Sequence, residues 1–279
     1  YEGETGGIPC EFHLIPSETE DQCAVWLPEE KVLLSADAVY ESFPNVYALR
    51  GTRFRNPMIW AQGVDRLREF NADILIPHHG HPVEGADKIS KLLTDYRDAI
   101  QFVHDQTLRY MNKGYTPDEI KEVVTMPARL RDHPWLGEFY GSYKHSIPAI
   151  CVGYLGWYEG DPIALDPTPW LEKAQRYMDM MGGRETVLAE ARNALDDGDS
   201  QWAAELATWV VRAIKSDAEA RALKADALRV WAYNQKNATW RNWGLTSALE
   251  LDGELDQAGG GMVLGSPDQV KGFPLSAIM

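Results

Sequence analysis

Apolar and polar positions alternate in two ways along this chain, and the change between them divides it. Up to about residue 85 the apolar residues come in short runs. Pro9 to Ile15 predicts a strand. Cys23-Ala24-Val25-Trp26-Leu27 and Lys31-Val32-Leu33-Leu34-Ser35 flank Pro28-Glu29-Glu30, which is the pattern of a hairpin with a proline-containing turn. Trp60, Val64, Leu67 and Phe70 recur at helical spacing and share one face. Ile74-Leu75-Ile76 then predicts a short buried strand. Strand, strand, helix, strand in that order suggests layers of α/β type. From Gly85 onward the period becomes helical. Asp87 to Asn112 is one long helical pattern. Thr116-Pro117-Asp118-Glu119 is a helix start, with an N-cap, proline at the first position and acids in the first turn. Trp135 to Trp157 also predicts helix, despite Pro148. Asp166 to about Leu251 predicts several antiparallel helices, punctuated by Gly182-Gly183, Asp196-Asp197-Gly198-Asp199 and Lys215-Ser216-Asp217. Their lengths are loosely tetratricopeptide-like, and Ala203, Ala204, Ala207, Ala220 and Ala225 are small enough for close helix contacts. Gly259-Gly260-Gly261 and Gly265-Ser266-Pro267 predict a linker. The apolar stretch Phe273 to Met279 after it predicts either the start of a further domain or a terminal strand that docks back.

Charge narrows the partners. Over 279 residues, 27 Lys and Arg face 42 Asp and Glu, for a formal net charge of −15. Phosphate backbones need clustered cations, so nucleic acid is excluded as a partner. A small anionic substrate is not, provided the site is locally positive. Three cysteines, Cys10, Cys23 and Cys151, make an odd set without thiolate-zinc spacing, so buried thiols are expected and not a disulfide framework. No run of 18 apolar residues exists to span a membrane. The chain opens Tyr1-Glu2-Gly3-Glu4, which suggests a cut or processed start.

Candidate chemistry gathers where the predicted strands end. Three of the seven histidines, His78, His79 and His81, follow the strand at Ile74. Upstream, the acidic group Glu18-Thr19-Glu20-Asp21 and Asp37 stand at further strand ends. Loops at strand ends are where rigid scaffolds display ligands and bases. Imidazoles and carboxylates converging from separate strands suit a transition metal, and a solvated histidine-rich turn is the competing reading.

Several segments resemble alkylsulfatases of the metallo-β-lactamase superfamily. They are Pro16-Ser17-Glu18-Thr19-Glu20-Asp21-Gln22, Leu34-Ser35-Ala36-Asp37, Asn45-Val46-Tyr47-Ala48-Leu49-Arg50-Gly51, Pro77-His78-His79 and Tyr154-Leu155-Gly156-Trp157-Tyr158-Glu159-Gly160-Asp161-Pro162. Trp240-Arg241-Asn242-Trp243-Gly244-Leu245-Thr246 resembles the helical dimerisation domain of the same family. The resemblance runs from about Pro16 to Leu251. It implies an α/β half of an αββα sandwich over residues 1–85, a tetratricopeptide-like helical dimerisation domain over 86–251, and a linker with the start of a further domain over 252–279. It implies hydrolysis of sulfate esters of fatty alcohols with two zinc ions, in a homodimer formed through the helical domain. Metal ligands carry over to Glu18, Asp37 and His79. Glu20 or Asp21 stands as an alternative to Glu18, and His78 or His81 as an alternative to His79. Asp37 stands where the family usually has Glu, a methylene longer. Arg50 matches the sulfate-binding arginine, and its planar fork of donors suits a tetrahedral oxyanion. His145 matches a histidine near the sulfate, to protonate the leaving group or to orient the ester. Asn45, Tyr47 and Tyr143 match the substrate pocket, and the alkyl tail is expected near Tyr143, Tyr154 and Trp157.

One departure weighs against a complete site. The His-x-His-x-Asp-His motif that defines the superfamily is absent from the 279 residues. Two zinc ions need more donors than Glu18, Asp37 and His79 supply. A missing segment or a second chain is therefore expected to bring that half. Two other functions stay open from the sequence: a hydrolase of the same fold with another substrate class, and a non-catalytic helical interaction subunit.

Overall fold

The computed structural model describes residues 1–255. They form two compact units, one of residues 1–167 with 236–239, the other of residues 168–235 with those from 240 onward.

The first unit is built on a six-stranded sheet in sequence order, β1 (Glu2–Thr5), β2 (Ile8–Leu14), β3 (Cys23–Leu27), β4 (Val32–Ala36), β5 (Ile74–Pro77) and β6 (Val83–Glu84). All neighbours are antiparallel except β4 and β5, which are parallel and joined through helix α1 (Pro57–Arg68). Asn56 caps α1, its Oδ1 accepting from the Met58 N–H at 2.9 Å, and Pro57 stands where the missing N–H costs nothing. The buried stripe Trp60, Val64 and Leu67 is the one the spacing predicts. It covers the sheet face that carries Ala24, Trp26, Leu33 and Leu75, all buried. Burial of side chains this large stabilises by about 1.5–3 kcal/mol each. The opposite sheet face carries Phe12, Val25, Leu34 and Ile76 in one cross-strand row and Leu27, Val32 and Ile74 in another. Those seven are apolar yet none is buried.

Helix α2 (Ala86–Met111) packs along α1, with Leu93, Tyr96, Ala99 and Ile100 buried in the same core as the sheet. The texture change at Gly85 thus marks the end of the sheet, and the compact unit runs on through α2, α3 (Pro117–Val123), α4 (Ala128–Arg131) and α5 (Tyr143–Leu155). Thr116 and Glu119 form the capping box that the helix start predicts. Helix across Trp135 to Trp157 is only partly formed: a 3-10 turn covers Pro134–Leu136, and α5 begins after the Ser142 N-cap. Residues 137–142 stay outside helix because they dock on an upstream loop.

The second unit is helical, with α6 (Trp170–Met180), α7 (Arg184–Asp196), α8 (Ser200–Ala213), α9 (Ala218–Tyr233) and the greater part of α10 (Ala238–Asp252). Ala203, Ala207, Ala220 and Ala225 are fully buried, as close helix packing requires. The expected linker at Gly259 and the apolar stretch at Phe273 lie outside the described residues, as does nearly all of the 252–279 segment. None of the described helices is long and apolar enough to cross a membrane. Cys10, Cys23 and Cys151 are free thiols; Cys10 and Cys151 are buried as expected, whereas Cys23, at the start of β3, is exposed.

Candidate active site

Sheet direction explains why distant residues meet. β2, β4 and β5 run the same way, since β2 and β4 are each antiparallel to β3 and β5 is parallel to β4. Their C-terminal ends therefore share one edge of the sheet. Glu18 follows β2, Asp37 follows β4, and His79 follows β5. Ligands in open α/β sheets bind at such carboxyl ends. A cavity of about 840 Å³ opens there, lined by Glu18, Asp37, Arg50 and His79 together with Tyr40, Glu41, Arg55, His81 and Tyr140.

Asp37 and His79 are in direct contact, Asp37 Oδ1 lying 2.6 Å from His79 Nδ1. A parallel pair sits beside them, Glu41 Oε2 at 2.6 Å from His81 Nδ1. In both, the carboxylate fixes one ring nitrogen and so the orientation of the other. His78 is exposed and does not line the cavity. Glu20 and Asp21 line a neighbouring cavity, not this one.

Glu18 is held by the turn after β2. Gly63 of α1 lets that turn approach, because a Cβ there would fall 2.5 Å from the Pro16 carbonyl oxygen. The Glu18 carboxylate is ion-paired with Arg55 and accepts a long hydrogen bond of 3.5 Å from the Tyr140 hydroxyl. Burial raises its pKa, with the Arg55 guanidinium opposing the rise.

Residues 37–56 form a long connection without helix or strand, and carry Asp37, Asn45, Tyr47, Arg50 and Arg55. Such a loop in a compact domain is ordinarily functional. Two non-glycine residues in it or at its start have left-handed backbone: Ala36 at φ 50° and Leu49 at φ 55°. Each immediately precedes a predicted site residue, Asp37 and Arg50. Strain of this kind costs about 1–3 kcal/mol per residue and gathers at functional sites. Trp60 secures the loop's start, its Nε1 donating to the Ala38 carbonyl at 2.8 Å.

Asn45 is fully buried. Its Oδ1 lies 3.1 Å from His145 Nε2, and its Nδ2 has no partner among the described residues. An orphaned buried donor beside an imidazole suits an anion. Burial pushes the His145 pKa down to about 4, so the ring is neutral at neutral pH. His145 lies in the first turn of α5. Arg50 is exposed and makes no ion pair or hydrogen bond among the described residues. Asn45, His145, Tyr47, Tyr143, Tyr154 and Trp157 do not line the cavity. The Tyr154 hydroxyl instead lies 2.8 Å from His104 Nε2.

Glu18, Asp37 and His79 offer the oxygen and nitrogen donors that zinc takes. Their arrangement does not by itself fit a metal ion. Among the described residues no three of His, Cys, Asp and Glu stand close enough to hold one, and Glu18 is engaged by Arg55.

The sequence reading missed Arg55, Glu41 and Tyr40. Arg50, Arg53 and Arg55 are the cations of the 37–56 loop, and that density was the available signal.

The mixed sheet, its edge cavity and the helices that follow define an α/β protein with an appended helical region. Residues 116–254 match the alkyl sulfatase dimerisation family. A linear primary-alkylsulfatase of Pseudomonas sp. is 47% identical over 252 residues, covering 90% of this chain and 48% of that protein. An (R)-specific secondary-alkylsulfatase of Pseudomonas sp. is 38% identical, over 90% of this chain and 39% of that protein. The solved stereoselective inverting sec-alkylsulfatase Pisa1 from Pseudomonas sp. superposes with a TM-score of 0.86 at 36% identity, over 92% of this chain and 41% of that one. Over about 90% of its length the chain is thus similar to alkylsulfatases. It spans about half the length of the first of these relatives, and less of the others.

Proposed function

We propose that this chain is part of a hydrolase that cleaves alkyl sulfate esters to an alcohol and sulfate. The observation that carries the reading is the cavity at the strand ends, which Arg50 lines together with Glu18, Asp37 and His79. An unpaired guanidinium in a chain of net charge −15 is a local site for an anion. Arg50 takes the sulfate through its fork. His145 is neutral at neutral pH, which favours orienting the ester over protonating the leaving group. Asp37 orients His79. Tyr47 and Tyr143 enter only through the resemblance.

Zinc belongs to this reading as a family property. The chain's own donors are too few for two ions, so the remaining ligands come from residues outside it. The helical region, 86–251 on the sequence reading, is where we place a homodimer contact. Membership of residues 116–254 in a dimerisation family supports self-association.

Arg50 provides the test. In an assembly that turns over a linear alkyl sulfate, Arg50→Ala should lower kcat/KM for sulfate release by about a hundredfold, the usual cost of one lost donor at a developing charge. Arg50→Lys should recover part of it, lacking the bidentate fork. Unchanged kinetics in Arg50→Ala would remove Arg50 from the site.

A further inference from the structure

Two cavities meet at one ion pair. Glu18, Thr19 and Arg55 line both the larger cavity and a second of about 440 Å³ that follows Pro16–Asp21 and Thr52–Asn56. The Glu18 and Arg55 side chains are only 11% and 9% exposed. Taking two charges so far out of water is costly unless geometry and further hydrogen bonds compensate. Here a further bond exists. Arg55 Nη1 donates to Glu18 Oε1 and also to the Asn45 carbonyl oxygen, the latter at 2.7 Å. One guanidinium nitrogen thus ties the turn after β2 to the loop after β4.

The backbone around Arg55 is fixed on both sides. Phe54 lies on the bare backbone of Gly153 in α5, where a Cβ would come within 2.2 Å of the ring, and packs edge-on against Tyr154. Asn56 caps α1. Arg55 is therefore held between α5 and α1, and α5 is the helix that carries His145. The side chain reaches Asn45, whose amide contacts His145 at 3.1 Å. Arg55 also lines the larger cavity, but the Nη1 that forms this tie is committed to two protein oxygens.

We propose that Arg55 is a positioning residue: its guanidinium clamps the Glu18 carboxylate to the Asn45 backbone and so sets where the Asn45–His145 pair stands. The consequence for anion binding rests on the function proposed above, while the clamp does not. A lysine keeps the charge but lacks the planar fork, so it bridges the two oxygens poorly. Glu18 and Arg55 then form a coupled pair, whose replacements should not add.

The experiment uses the 279-residue chain with Arg55→Met, Arg55→Lys, Glu18→Gln and the Arg55→Met/Glu18→Gln double variant. Folding is checked by near-ultraviolet circular dichroism. Three quantities are read: the His145 ring resonances by NMR, the urea unfolding equilibrium, and the affinity for inorganic sulfate by calorimetry. The clamp requires the His145 signals to move in Arg55→Met and to return partway in Arg55→Lys. It requires the unfolding constants of the single and double variants to depart from additivity by more than about threefold. Sulfate affinity should fall about tenfold in Arg55→Met, the effect of one misplaced hydrogen bond. If Arg55→Met does not fold, Arg55→Lys and Glu18→Gln carry the same NMR test. His145 signals that stay at their wild-type positions in the folded variants, with additive unfolding constants, would overturn the proposal. If the wild-type chain binds no sulfate while His145 still follows Arg55, the sulfate reading fails and the clamp stands.

Discussion

Asp37 and His79 lie 42 residues apart in sequence and 2.6 Å apart in space. Residue type and strand-end position mark Asp37 and the cluster His78, His79 and His81 in the sequence, and the family resemblance is what picks His79 from the three. Arg55 carried no such mark. Its importance comes from burial and from a carbonyl it reaches across the fold, neither of which one sequence displays. His145 offers a test at this scale. Its folded pKa is pushed down to about 4 by burial, below the ordinary value of 6.5 that the unfolded chain keeps. As pH falls the unfolded chain takes the proton first, so His145 favours the native state fully above about pH 6.5. That contribution is lost as pH falls through the window from 6.5 to 4, and amounts to at most ~3 kcal/mol. His145→Gln keeps a neutral polar side chain without the titration. Urea unfolding from pH 4 to 7 should show a shallower acid loss in that variant than in the wild type. Parallel curves would mean that the His145 pKa is near normal.

At the scale of elements, the long loop 37–56 keeps its shape by borrowing a partner. Phe43 N–H donates to the Gly137 carbonyl at 2.8 Å, and Gly141 N–H donates to the Phe43 carbonyl at 3.1 Å. Ser42 Oγ donates to the Gly137 carbonyl at 3.0 Å and accepts from the Tyr140 N–H at 2.9 Å. These bonds hold 137–142 out of helix, where the apolar pattern of Trp135 to Trp157 predicts it. Gly141 makes the approach possible, since a Cβ there would fall 2.2 Å and 2.4 Å from the Pro44 and Phe43 carbonyl oxygens. Gly141→Ala is therefore informative. Away from a contact, Gly to Ala stabilises by about 0.4–1 kcal/mol through the unfolded chain. Here overpacking against backbone should dominate and cost about 1–3 kcal/mol. Urea denaturation of the variant decides the sign, and a neutral or stabilising result would show that the two loops are not locked together. Strands β2 to β5, α1, α2 and the α3 start were legible because each rests on local period, caps or turn residues. β1 and β6 were not, because Glu2–Thr5 is polar and Val83–Glu84 is only two residues long, and the course of 137–142 was not, because what holds it is bonding to Ser42 and Phe43.

For the whole molecule, the sheet sets the strongest expectation. Strands β3, β4 and β5 alternate strictly between buried residues on the α1 face and half-exposed Val25, Leu27, Val32, Leu34, Ile74 and Ile76 on the other. Strands apolar on both faces belong to sheets covered on both. An apolar face of this extent marks a surface made for contact. The donor count agrees with the packing. Among the described residues no three His, Cys, Asp or Glu side chains stand close enough to hold a metal ion, and no His-x-His-x-Asp-His occurs in the chain. We propose that the apolar face and the donor shortfall express one requirement, namely further residues laid on that face and bringing donors to the strand ends. Residues 1–279 purified alone and supplied with zinc should accordingly release no sulfate from a linear alkyl sulfate. They should also bind a hydrophobic dye such as ANS through the uncovered face, and Val25→Ser/Leu34→Ser should weaken that binding. An assembly in which additional chain covers the face should hydrolyse the ester and bind the dye less. Robust zinc-dependent turnover by the isolated 279 residues would show that Glu18, Asp37 and His79 suffice, and that the free face has no part in completing the site.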